Sequence, residues 1–367
     1  MVVETPIRHR PGQIIAGKYE LIEVAGRGGM ATVWKATLHG VGRFRRTVAV
    51  KQMHEHLAGK RLYVDMFCEE ARVGAFLQDP NIAQVYDFLS ENGQYYLIME
   101  WVPGIDLGNF ISYFRDRGRH THWEMVAAAG IGILRGLAAA HERENETGTV
   151  TPIVHRDVSP HNILLSSDGL VKLIDFGLSL AGDRTEELTE PGIVKGKMSY
   201  LSPEIVKGGR PEPLSDVFAV GSVLWEALTG RRLFEGENDL EVYGKLRNCQ
   251  VQPLRPIRRD VPKELIHLVH RALSEEPRER FDSAREMANH LGQILKTSRV
   301  ARDLRRHMGR TVIDARRHTT ETTGTVIHQS SSATPIAELE ERTAVAEAPQ
   351  GKKGLLHRLP WFGRKRG

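Results

Sequence analysis

HRDVSPHNILLSSDGLVKLIDFG, residues 155–177, is organised around a turn. Asp168-Gly169 is a strong two-residue hairpin signal. Apolar runs flank it: Ile163, Leu164 and Leu165 before, Leu170, Val171, Leu173 and Ile174 after. With Asp168 and Gly169 as the two turn residues, pairing is symmetric about them and Asn162 lies opposite Asp175. Facing residues of paired strands project to the same side of a sheet. A carboxylate and a carboxamide oxygen therefore meet at the open end, with Asp157 on the loop that enters it. Hard oxygen atoms at that spacing suit Mg²⁺, which takes a few carboxylates together with substrate phosphates. An ordinary buried hairpin with two solvated aspartates has the same local pattern, and a lone Asp-Gly turn would favour it.

Upstream, residues 19–38 read YELIEVAGRGGMATVWKATL, two strand-like runs around a glycine-rich turn. Gly26, Gly28 and Gly29 predict a backbone that approaches a phosphate closely and adopts positive φ. Dinucleotide folds share such a string but need a helix after the glycines. Here Thr32 to Thr37 is rich in β-formers, so the turn joins two strands. In Thr47-Val48-Ala49-Val50-Lys51, alternation places Val48 and Val50 on one face, Ala49 and Lys51 on the other. A small residue beside a lysine leaves room for a flat ligand and a phosphate; a solvated strand lysine is the plain alternative. Asp65 to Leu77 predicts a helix in which Met66, Glu70, Val73 and Leu77 form one stripe. That stripe puts a carboxylate on the apolar face, where it needs a cation. The alternative is a helix rotated so that Glu69 and Glu70 are both exposed. Strands are expected around Glu91-Asn92-Gly93, and a boundary at Val102-Pro103-Gly104. Trp123 to His141 predicts an Ala-rich core helix.

HRDxxxxN followed by DFG, a GxGxxGxV-like turn ending at Val33 with Ala31 at its third glycine position, and VAVK at 48–51 resemble, in order, the motif set of protein kinases. The resemblance covers residues 18–295. It implies an α+β, two-lobe protein kinase fold, with a small antiparallel β-rich N-lobe at 18–102 and a larger, mainly α-helical C-lobe at 103–295. It implies that Asp157 is the catalytic base and that Asn162 and Asp175 hold Mg²⁺, or Mn²⁺ in its place. Lys51, positioned by Glu70, would grip the α- and β-phosphates of ATP. Gly26, Gly28 and Gly29 would approach the phosphates. Ala25, Val33, Ala49 and Leu164 would complete the nucleotide site. Met99 would guard the back of the adenine pocket, and backbone groups of Glu100 and Val102 would hold adenine's edge.

By the same resemblance, Glu204 of LSPE pairs with Arg280, and Asp216 props the catalytic loop. Arg156 would receive an activation-loop phosphate, with Thr185 and Thr189 the first candidates and Ser199 another. Two positions depart from the Ser/Thr kinase pattern. HRDxKPxN has Ser159 at its lysine, and GTxxYxxPE has Lys197 at its threonine. The two residue types look exchanged. Lys197 is then expected to supply, from the activation segment, the positive charge that Ser159 lacks at the transferring phosphoryl group. A tolerated loss, with Lys197 facing solvent, is the plain alternative. Pro160 looks like the Ser/Thr class rather than the tyrosine class. The implied activity is an autophosphorylating serine/threonine protein kinase of bacterial signalling. The rival is a pseudokinase scaffold that binds nucleotide without efficient transfer.

The 367 residues are 40% hydrophobic and 26% charged, which allows one or two sizeable cores and excludes a wholly disordered chain. Two cysteines, Cys68 and Cys249, cannot by themselves build a disulfide framework or a structural zinc site. The opening, MVVETPIRHRPGQ, has no apolar signal-peptide core, and no uninterrupted apolar run approaches the roughly 18 residues of a membrane span. These features predict a cytoplasmic protein. A net charge of +5 is too modest to imply nucleic-acid binding. Residues 1–17 are expected to be an extension, and 296–350 a disordered Thr/Ser/Ala-rich linker with a frayed helix at 301–307. Thr311, Thr319, Thr320, Thr322 and Thr323 are candidate autophosphorylation sites that would recruit phosphopeptide-binding partners. The tail, GKKGLLHRLPWFGRKRG at 351–367, mixes basic residues with Trp361 and Phe362. It could make weak contact with anionic membrane at its inner face. A solvated tail, an acidic partner or nucleic acid are the alternatives.

Overall fold

The structure is a computed structural model that describes residues 10–176 and 198–323. Six strands make one antiparallel sheet: β1 (Ile14–Ile15), β2 (Tyr19–Arg27), β3 (Ala31–His39), β4 (Arg45–Met53), β5 (Val85–Glu91) and β6 (Gln94–Glu100). Their order is β1-β2-β3-β4-β6-β5. Between β4 and β5 lie α1 (Glu55–Ala58) and α2 (Arg61–Phe76). The two-residue period of a strand sorts the side chains. Ile15, Leu21, Trp34, Val48, Val50 and Ile98 pack on one face of the sheet. Ala49, Met53, Leu97 and Met99 pack on the other with Phe67 and Ala71 of α2. The β5–β6 connection uses Asn92 (φ 51) and Gly93 (φ 75), both left-handed, as a two-residue primed turn requires.

Beyond Val102, a small sheet of β7 (Gly104–Asp106), β8 (Ile163–Ser166) and β9 (Val171–Leu173) rests on helices. These are α3 (Leu107–Arg115), α4 (Trp123–His141), α5 (Pro203–Val206), α6 (Pro213–Thr229), α7 (Asp239–Arg247), α8 (Lys263–Ala272), α9 (Ala284–Lys296) and α10 (Leu304–Thr323). Helix α4 is long and apolar enough to cross a bilayer, but 67% of its apolar window is buried inside the fold. It approaches the small sheet closely at Gly132, where a Cβ would stand 2.6 Å from Val171. Helix α6 is marked at both ends. Pro213 starts it within a Glu212/Ser215 capping box, and Gly230 (φ 78) ends it.

One buried ion pair locks the C-lobe, as the kinase resemblance implies. Arg280, with a side chain 0% exposed, forks onto Glu204 at 2.9 and 2.7 Å. Its remaining N–H groups donate to the carbonyls of Ser274, Leu214 and Glu275, so all five donors are used. Burial pushes the Glu204 carboxyl up, but the guanidinium outweighs burial and holds it below its usual range.

In its secondary structure the fold differs from the sequence reading in four places. The β8–β9 hairpin turns through three residues, not two. Ser166 N–H bonds to Leu170 O and Gly169 N–H to Ser166 O, and Ile163 pairs with Leu173. The register is therefore shifted by one, and Asn162 faces Ile174 rather than Asp175. Ile14 and Ile15, assigned to the extension, form an edge strand against β2. Helix α2 begins at Arg61, four residues before Asp65. Residues 304–323, expected in a disordered linker, form α10 and pack on the C-lobe through Leu304, Met308, Val312 and Ala315.

Candidate active site

Lys51 lies on β4, on the same face as Ala49, and is 6% exposed. Its Nζ is 2.6 Å from Glu70 Oε1 and 2.8 Å from Asp175 Oδ1. Glu70 lies on the apolar face of α2 and is 3% exposed. Glu69 points outward and pairs with Arg72. The apolar stripe thus identifies the correct glutamate. Burial pushes the Lys51 ammonium down, but Asp175 and Glu70 outweigh burial and raise it. Burial also drives the Glu70 carboxyl up, against the pull of Lys51.

Asp157 sits on the loop before β8. Asn162 Nδ2 donates to its backbone carbonyl at 2.9 Å and to its Oδ2 at 3.0 Å. The amide nitrogen makes both bonds, so the Asn162 oxygen remains as a ligand atom. The loop is held from below by Asp216, in the first turn of α6 and 1% exposed. Its Oδ2 accepts the His155 N–H at 2.8 Å and its Oδ1 the Arg156 N–H at 2.9 Å. His141, the last residue of α4, places Nε2 2.8 Å from the same carboxylate. His155 Nδ1 accepts the Asp157 N–H at 3.3 Å, and its Nε2 donates to Ile174 O at 3.0 Å. Its ring packs on Phe176, with centroids 4.4 Å apart. One histidine thereby ties the Asp157 loop to the segment carrying Asp175. Asp175 itself has φ 62, which swings it out of strand geometry toward Lys51. Asp157, Asn162 and Asp175 are thus brought to one place, although Asn162 and Asp175 do not face each other across the ladder.

The donor set fits a hard divalent cation bound together with phosphate. Asp175 offers a carboxylate and Asn162 an amide oxygen, which matches the sparse protein shell of Mg²⁺. Among the described residues, no group of three or more His, Cys, Asp or Glu side chains could hold a metal without such a co-ligand.

The glycine-rich turn joins β2 to β3, as expected. Neither Gly26 nor Gly29 uses positive φ, and a Cβ at either would meet nothing within 4 Å. Their contribution is open space for a ligand rather than a strained backbone, which corrects the sequence reading. Ala25 stands at a bulge between Val24 and Gly26, and Val33 pairs with Lys51. Met99 pairs with Ala49 and, with Glu70, Leu173, Asp175 and Phe176, lines a pocket. The Glu100 N–H bonds to Gln84 O, and its side chain pairs with Lys172 at 2.8 Å. Val102 is buried. Leu164 is half-buried, on the opposite face of β8 from the fully buried Ile163 and Leu165. Ser159 is buried, whereas Lys197, Thr185 and Thr189 lie outside the described residues. Ser199 is 4% exposed, which removes it as an accessible hydroxyl in this state.

A family model for the protein kinase domain matches residues 19–291. The chain belongs to the protein kinase domain family. Its fold is similar to a crystal structure of the Mycobacterium tuberculosis PknI kinase domain, with a TM-score of 0.58 and 25% identity. The match covers 78% of this chain and 99% of that one. By sequence the kinase domain is 39% identical over 282 residues to the tyrosine-protein kinase MasK of Myxococcus xanthus, across 76% of this chain and 43% of MasK. It is 32% identical to the serine/threonine-protein kinase PrkC of Bacillus subtilis, across 75% of this chain and 40% of PrkC. It is also 32% identical to the serine/threonine-protein kinase PknA of Mycobacterium tuberculosis, across 78% of this chain and 63% of PknA. The chain therefore matches only about two fifths of the length of MasK and PrkC.

Two residues of this kinase site escaped the sequence reading. His155 stands in the HRD string but was given no role there, and its ring partners, the Asp157 N–H, Ile174 O and Phe176, appear only in the fold. His141 is ordinary in pattern, and only the position of Asp216, distant in sequence, gives it a partner. The Lys51–Glu70 assignment has a direct check. A charge-assisted hydrogen bond contributes about 1.5–3 kcal/mol. Glu70→Gln should therefore lower kcat/KM for ATP by about 10- to 100-fold, while Glu69→Gln leaves it within about twofold. Steady-state kinetics of both variants would reverse the assignment if Glu69→Gln were the damaging change.

Proposed function

We propose that this protein is a serine/threonine kinase that transfers the ATP γ-phosphoryl group to hydroxyls of protein substrates, itself included, in bacterial signalling. The observation that carries this reading is Lys51 bridging Glu70 and Asp175, with Asn162 bonded to Asp157 beside them. Lys51 is charged and fixed, ready to hold the α- and β-phosphates. Asp157 orients the acceptor hydroxyl and takes its proton. The hydroxyl oxygen bonds to the γ-phosphorus as the bridging bond to ADP breaks, and the electron pair leaves with ADP. Asp175 and Asn162 would hold a divalent cation, Mg²⁺ or Mn²⁺, which when bound neutralises phosphate charge. The assembled pair and the intact Asp157 speak against the pseudokinase reading.

Transfer to tyrosine is a second reading, favoured by the 39% identity to MasK, which is named a tyrosine-protein kinase. Pro160 and the similarity to PrkC and PknA favour serine and threonine. We read the protein as cytoplasmic, with residues 351–367 in weak contact with anionic membrane and phosphorylated threonines recruiting phosphopeptide-binding partners. Thr311 and Thr319, two of those candidates, are on α10 and bond back to the carbonyls of His307 and Ala315. Their phosphorylation would first break these side-chain bonds.

Labelled ATP should phosphorylate the wild-type chain and not Asp157→Asn, with the mapped sites on serine and threonine. Equal labelling of both would end the enzymatic reading, and phosphotyrosine alone would move the specificity to tyrosine. If Lys197 acts on the transferring group, Lys197→Ala and Lys197→Met should each lower kcat by about 100-fold; unchanged turnover in both leaves it a solvent-facing residue. For the tail, co-sedimentation with phosphatidylserine vesicles should fall when residues 351–367 are removed. Identical sedimentation discards the membrane contact.

A further inference from the structure

Helix α10 lies outside the span matched by the kinase family, which ends at residue 291. It is nevertheless built into the C-lobe. Leu304, Met308, Val312 and Ala315, spaced i, i+4, i+8 and i+11, are 5%, 1%, 0% and 0% exposed. They join the core beneath β7, β8, α3 and α4. The opposite side of the helix carries Arg306, His307, Arg310 and Arg317, all exposed.

Its N-terminal half meets the turn of the catalytic hairpin backbone to backbone. A Cβ on Gly309 would stand 2.4 Å from the Ser167 carbonyl oxygen, and a Cβ on Gly169 would stand 2.1 Å from the Arg305 carbonyl oxygen. Arg305 Nε donates to Asp168 O at 3.0 Å, and its Nη2 to Asp168 Oδ2 at 3.3 Å. Both side chains are more than half exposed, so this ion pair contributes little by itself. The apolar stripe attaches the helix; Gly309 sets how near it comes.

From that turn to the reacting groups the path is short and stiff. Strands β8 and β9 have four and three residues, and Ile163, Leu165, Val171 and Leu173 are at most 4% exposed. At the far end the Ile174 N–H bonds to Asn162 O, with Asp175 next in the chain. A close-packed hairpin carries a displacement of its turn along its length, because its side chains have no free volume to absorb it.

We propose that α10 is a positioning strap for the catalytic hairpin, with Gly309 and Arg305 as positioning residues that set Asn162 and Asp175. The proposal rests on the kinase reading above, in which these two residues hold the divalent cation. It makes the working catalytic unit end near residue 323 rather than near 295.

Gly309→Ala in the full chain is the sharpest test. Alanine favours helix over glycine, so loss of function in this variant reports the contact with Ser167 and not a weakened α10. Three quantities are read: amide hydrogen exchange over residues 162–175, the Mg²⁺ concentration at half-maximal velocity, and kcat against KM for the protein substrate. Exchange should quicken across 162–175. The Mg²⁺ requirement should rise about fivefold and kcat fall about tenfold, as expected for sub-ångström misplacement of reacting groups, with KM unchanged. Arg305→Ala should move the same quantities less, and serves if Gly309→Ala fails to fold. Unchanged exchange and Mg²⁺ requirement in a folded Gly309→Ala would overturn the strap, as would a lower melting temperature with neither of those changes. If wild type transfers no phosphate, the kinase reading fails, and hydrogen exchange alone decides whether α10 holds the hairpin.

Discussion

A lysine ammonium can be taken out of water only where carboxylates replace the water, and Lys51 is such a case. Its two partners come from different elements, Glu70 from α2 and Asp175 from the segment after β9. Moving either element away would take one of the two carboxylates from the buried ammonium. The ion pair therefore fixes the distance from α2 to the sheet and from the sheet to the catalytic hairpin together. A buried ion pair is a poor source of stability compared with apolar packing. Its value here is that α2 and the segment after β9 meet the one cation of β4 in a single arrangement.

Much of this was readable from residue order because each part obeys a local rule. The stripe of Met66, Glu70, Val73 and Leu77 put one glutamate on the buried face, and the structure pairs that glutamate with Lys51. The β-rich run after Gly29 weighed against a dinucleotide fold, and β3 is the strand it required. The alternation around Lys51 matched the two faces of the sheet. What was misread depended on choices that a local rule leaves open. A turn at Asp168-Gly169 can hold two residues or three, and Ser166 tips it to three. Its N–H and hydroxyl both engage Leu170, and its hydroxyl donates to Asp168 as well. One residue of difference changes which side chain faces Asn162.

Helix α10 was hidden for another reason. Its four buried apolar side chains are spread among seven arginines and histidines between 304 and 318, so composition suggested a solvated linker while the spacing of Leu304, Met308, Val312 and Ala315 kept helical period. Periodicity is the better guide when a helix has one seat and the rest of its surface in water. The short strand β1 escaped for lack of length: two isoleucines have no period at all, and pairing with β2 is what orders them.

The site also concentrates backbone conformations that side chains normally avoid. Arg156 has φ 67 and Asp175 φ 62, and neither is glycine. Such residues cost of order 1–3 kcal/mol each and persist only where the surroundings impose them. Both are imposed from the C-lobe. Asp216 accepts the N–H groups of His155 and Arg156, which holds the chain through its left-handed step. His155 bonds to Ile174 O, the carbonyl just before Asp175, and packs against Phe176 just after it. Relaxing either residue toward an ordinary φ would turn its neighbours away from these partners and leave buried polar groups of His155 and Asp216 unsatisfied. Local strain and long-range hydrogen bonds thus support one another, and what they jointly fix is the direction in which Asp157 and Asp175 point.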